Sequence, residues 1–89
     1  MRVTVHYLAQ IKRAAGRGSE EIDAPPGDVR SFLRDLATRH DATFQALLLD
    51  ESCEPRKTLL FFIGDEHADL SRPLVDGDTI TILAPMSGG

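Results

Sequence analysis

The stretch Arg72-Pro73-Leu74-Val75-Asp76-Gly77-Asp78-Thr79-Ile80-Thr81-Ile82-Leu83 decides how the chain is read. Arg72-Pro73-Leu74 and Asp76-Gly77-Asp78 are turn signals, because proline presets φ, glycine allows positive φ and aspartate bonds its own backbone. Thr79 to Leu83 alternates with period two and reads as the last strand of the domain. Six residues follow, Ala84-Pro85-Met86-Ser87-Gly88-Gly89, and none carries a charged side chain. Pro85 blocks further ladder pairing, and Gly88 and Gly89 remove every Cβ from the tip. Residues 1–83 are therefore expected to form the body and 84–89 a flexible tail. Fully extended, such a tail reaches roughly 20 Å.

Upstream, residues 2–8 read as a strand with Val3, Val5 and Tyr7 on one face and Arg2, Thr4 and His6 on the other. Gly16 and Gly18 mark Ile11–Gly18 as a turn or loop. Ser19 to Ala24 reads as a second strand, paired with the first as a hairpin and ended by Pro25-Pro26-Gly27. Asp28 is a good N-cap, and Val29, Phe32, Leu33, Leu36 and Ala37 recur with a helical period behind it. A shorter helix is expected from Asp41 or Ala42 to Leu49, with Phe44, Leu47 and Leu48 inward. Glu51 to Lys57 reads as an exposed loop. Leu59 to Ile63 is a strand, Gly64-Asp65-Glu66 a turn and His67 to Leu70 a brief edge strand. The order β-β-α-(α)-β-β-β describes an α+β domain, one main helix laid across a mixed sheet.

Composition excludes several classes of function. Eighty-nine residues fit one domain, too small for a large internal active-site cavity. The longest apolar run, Leu59–Ile63, has five residues where a membrane-spanning helix needs about 20. With 10 Lys+Arg against 14 Asp+Glu the net charge is −4, which argues against nucleic acid as a partner. The amino end lacks the continuous apolar stretch of a signal peptide. A lone cysteine, Cys53, fits a reducing compartment, so a cytoplasmic location is expected. No phosphate-binding glycine motif is present. His40, His67 and Cys53 lie in unrelated segments, so no metal site is expected. Cys53, between Glu51 and Glu54, lacks the electropositive setting of a reactive thiolate. These features do not describe an autonomous enzyme.

What remains is the terminus. An uncharged tail with a bare glycine tip can enter a narrow slot in another protein and present its carboxylate there, where no side chain obstructs attack.

Two segments resemble the ThiS/MoaD family of ubiquitin-like sulfur carriers. One is Val3-Thr4-Val5-His6-Tyr7-Leu8-Ala9-Gln10-Ile11-Lys12-Arg13-Ala14-Ala15-Gly16, which is similar to the first strand and loop of the MoaD branch. The other is the turn and final strand quoted above with the Pro85-Met86-Ser87-Gly88-Gly89 tail. Length and the 41–57 insertion favour the MoaD branch over ThiS. The chain departs from the family in having Ala84-Pro85 where many members have Pro-Pro, and in lacking their Val-Asn-Gly after Leu60-Phe61-Phe62.

The resemblance implies a ubiquitin-like β-grasp fold: a mixed four- to five-stranded sheet, one main helix packed across it, first and last strands parallel at its centre. It also implies that Gly89 is adenylated and then converted to a thiocarboxylate, with Gly88 keeping the tip slim and Pro85, Met86 and Ser87 lining the entering segment. The implied partners are a ubiquitin-activating-like adenylyltransferase that uses ATP, a sulfur donor of cysteine desulfurase or rhodanese type, and the large subunit of molybdopterin synthase or another acceptor enzyme. No cofactor is expected on the carrier. Both faces of Leu59–Ile63 are apolar, so either Leu60 and Phe62 or Leu59, Phe61 and Ile63 are expected to join Leu83 in an exposed docking patch; Phe61 and Leu83 are taken as its contacts. Two other readings share this sequence: a protein modifier joined to lysines through isopeptide bonds, and a plain interaction module. Within the carrier reading, thiamin, cysteine or tRNA thiolation pathways are alternatives to molybdopterin.

Overall fold

The computed structural model describes residues 1–84. In chain order the elements are β1 (Arg2–Ala9), α1 (Gln10–Ala15), β2 (Ser19–Asp23), β3 (Gly27–Asp28), α2 (Val29–Ala37), α3 (Ala42–Leu48), β4 (Leu60–Ile63), β5 (Glu66–His67), β6 (Pro73–Leu74) and β7 (Thr79–Ala84). Five strands form one sheet in the order β2-β1-β7-β4-β5, and β3 with β6 makes a second, two-stranded ladder. β1 and β7 run parallel at the centre, with Val5 opposite Ile80 and Ala9 opposite Ala84. Every other pairing in the large sheet is antiparallel. This is the β-grasp arrangement that the family resemblance implies.

Alternation explains the core. Val3, Val5 and Tyr7 of β1, Ile80, Ile82 and Ala84 of β7, and Phe61 and Ile63 of β4 all point inward and are buried. Val29, Phe32, Leu33, Leu36 and Ala37 lay the apolar stripe of α2 against them, with Phe44 and Leu48 of α3 and Ile11 of α1 closing the layer. Asp28 caps α2 as expected, its carboxylate accepting from the Ser31 N–H at 2.9 Å. Two further first-turn amides of α2, of Val29 and Arg30, donate to the Arg72 and Leu70 carbonyls at 3.0 Å each. The amides that a helix leaves unpaired at its start thus tie α2 to the segment before β7.

Four expectations need correction. Ile11–Gly18 is not simply a loop: Gln10–Ala15 is helical, and Gly16 (φ 75°) is its left-handed cap. The glycine signal was real, but it marks where a helix ends. Arg72-Pro73-Leu74 is no mere turn, since Pro73 and Leu74 pair with Asp28 and Gly27. The edge strand covers Glu66–His67 rather than His67–Leu70. The last strand runs to Ala84, which is buried and paired with Ala9, so Ala84 belongs to the body and not to the tail.

Candidate functional site

The quoted turn sets where β7 begins. Asp76 Oδ1 accepts from the Arg2 N–H at 2.7 Å, and the Gly77 N–H donates to the Arg2 carbonyl at 2.8 Å. Gly77 adopts φ 91°, a conformation that glycine takes without strain. Asp78 Oδ2 accepts from the Val75 N–H at 2.9 Å, and the Asp78 carbonyl accepts from the Thr4 N–H at 3.0 Å. These contacts clip the turn onto the start of β1, and parallel pairing then carries both strands to one end of the sheet. There Ala9 turns into α1, and Ala84 is the last residue described. The expected tail contacts Pro85, Met86 and Ser87, and the expected reaction sites Gly88 and Gly89, lie outside the described residues.

The sheet face opposite the helices carries an apolar strip beside this end. Leu83 is half-buried, facing Leu8 of β1 on one side and Leu60 of β4 on the other. Leu8 is 45% exposed and Leu60 39%. Phe62 lies two residues along β4 on the same face, half-buried, with the His67 ring edge-on at 5.6 Å. Neither α3 nor the loop after it packs on this face. α3 packs on α1 and α2, and the 50–57 loop is held on α2 by Glu54, which bridges Arg30 and Arg34.

Phe61 is not part of this surface. It is 6% exposed and points into the core, so the patch neighbours of Leu83 are Leu60 and Phe62. Leu8 was missed although the alternation Arg2, Thr4, His6 continues to it. Among the described residues no group of three or more His, Cys, Asp or Glu side chains is placed to hold a metal ion. No helix of the described residues is long and apolar enough to cross a membrane. The site as described is an exposed apolar face beside a strand end, with no acid–base or nucleophilic constellation on it among the described residues.

A family model described as the ThiS family matches residues 5–89. A search of curated proteins by sequence returns no match. Among solved structures, the chain is similar to SAMP1 from Haloferax volcanii, with a TM-score of 0.87 at 20% identity over 100% of both chains. It is also similar to a chain of the BexX/CysO complex of Amycolatopsis orientalis, at 28% identity and a TM-score of 0.69 over 98% of this chain and 99% of that one. A chain in the complex of subunits 1 and 2 of molybdopterin-converting factor from Helicobacter pylori 26695 aligns over 100% of both, at 27% identity with a TM-score of 0.63. Two of these three relatives are thus seen in complex with a partner protein.

Proposed function

The chain belongs to the ThiS family, a family of ubiquitin-fold sulfur carriers and modifiers, and from that membership we propose that it carries sulfur as a thiocarboxylate on Gly89, as the small subunit of a molybdopterin synthase. A carboxylate is a poor electrophile. In the proposed sequence its oxygen attacks the α-phosphorus of ATP on an activating enzyme and pyrophosphate leaves. Sulfur at the hydrosulfide level then attacks the carbonyl carbon and AMP leaves. The sulfur stays nucleophilic yet bound to a carrier, and an acceptor enzyme takes it from the tail in the cytoplasm.

The observation that carries this reading is Gly88 and Gly89 lying four and five residues beyond the central strand of a β-grasp body, within a family match that runs through residue 89. The molybdopterin assignment draws on the Helicobacter pylori relative and on the amino-terminal segment that resembles the MoaD branch. Intact mass after incubation with ATP, an adenylating enzyme and a sulfur source tests it. The wild-type chain is expected to gain the mass of an oxygen-to-sulfur exchange, and a chain lacking Gly89 to gain none. Unchanged mass with partners active on another carrier would overturn the proposal. Cellular adducts that resist reductant would instead identify a modifier.

A further inference from the structure

A second surface lies on the opposite side of the same sheet end. α1 and α3 leave between them an open groove of about 690 Å³, lined by Gln10, Arg13, Ala14, Ala42, Ala46 and Leu47 among others. Its lining is mostly alanine and leucine, so a side chain or helix can come close to the backbone. Gln10 directly follows Ala9, the partner of Ala84, which puts the mouth of the groove beside the root of the tail.

The chain carries a net charge of −4. Among the described residues Arg2, Arg17, Arg30, Arg34, Arg39 and Arg72 each pair with a carboxylate. Arg13 and Arg56, like Lys12 and Lys57, have no such partner among the described residues. Arg13 lines the groove, and the exposed Arg56 donates through Nε to the carbonyl of Ala46, a lining residue, at 2.6 Å. Two guanidinium groups without a carboxylate partner among the described residues, one lining the groove and one bonded to a lining residue, therefore border a largely apolar floor. That combination fits an acidic segment with an apolar side chain between its carboxylates.

We infer that the α1–α3 groove receives an acidic, apolar-tipped segment of the adenylating enzyme. The inference rests on the carrier reading above. Activation is the step common to every sulfur route, so the activating enzyme is the partner that must bind. It would hold the tail root from both sides, with the Leu8–Leu83–Leu60 face on one and the groove on the other. Ala9, held at φ 62° and ψ −132°, sets the angle at which α1 leaves the sheet and so shapes the groove.

The test measures pyrophosphate release by the adenylating enzyme against carrier concentration for wild-type protein, Arg13→Glu and Arg56→Gln. Arg13→Glu is expected to raise KM about tenfold with kcat unchanged, and to flatten the rise of KM with salt seen for wild type. A KM within about twofold of wild type and an unchanged salt slope, while Leu60→Glu raises KM, would overturn the groove and leave the carrier reading standing. Amide resonances of isotope-labelled wild-type carrier titrated with the enzyme give an independent answer. Perturbation of α1 and α3 supports the inference, and perturbation confined to the sheet face refutes it. Self-association abolished by Arg13→Glu would assign the groove to a second copy of the chain and refute it too. If wild-type carrier supports no Gly89-dependent adenylation, both readings fall together.

Discussion

Tyr7, the single tyrosine, shows how one buried polar atom is kept in a thin core. Its hydroxyl donates to Glu20 Oε2 at 2.5 Å, and His40 Nε2 meets the same oxygen at 2.7 Å. His40 stacks on Phe44 with ring centroids 4.0 Å apart, and the Tyr7 ring meets both edge-on. Burial, and after it the bond to Glu20, push the Tyr7 phenol far above its ordinary value. The unfolded chain ionises Tyr7 near pH 10, while the folded chain keeps the proton. Stability from this group is therefore complete below about pH 10 and falls as pH rises further. Tyrosinate absorbance is expected to appear together with loss of the folded circular dichroism signal, not before it. Ala9 is the opposite case, a residue held where alanine is strained. Ala9→Gly is expected to stabilise the protein by about 1 kcal/mol, read as a Tm rise of about 5 °C.

The helix α2 owes its position to both of its ends. At its start Asp28 caps the first turn, and the amide of Ser31 lowers the Asp28 carboxyl below the usual carboxylate range. A lowered carboxyl adds stability that is present above its unfolded value, about pH 4, and is lost as pH falls through the folded one. Asp28→Asn keeps a capping oxygen but not the charge, so Tm should fall less steeply below about pH 4 in the variant than in wild type. This cap was legible in the sequence because Asp28 and the apolar period behind it are local signals. α1 was not, because six residues with one fully buried side chain, Ile11, carry too little periodicity. Its stability comes from packing on β1, β7 and α3, which no local pattern reports.

The molecule as a whole separates Phe61, buried in the core, from Leu60 and Phe62 on the open face, residues that the sequence treats alike. Phe61→Ala removes a core side chain and is expected to cost about 3–4 kcal/mol, visible in denaturant unfolding. Leu60→Glu, on the open face, should leave the unfolding midpoint nearly unchanged while lowering loading efficiency by about tenfold or more. Loss of loading without loss of stability is the signature of a docking face. What residue order settles here is local: strand alternation in Thr79–Leu83, the capped stripe of Val29–Ala37, the Asp76-Gly77-Asp78 turn and the glycine-tipped end. Each depends on neighbours a few positions apart. Which side of Leu60-Phe61-Phe62-Ile63 is covered and where α1 meets α3 depend on residues far apart in the chain. An apolar run with two equivalent faces holds no information about which face a helix will cover; only the assembled layers break that symmetry.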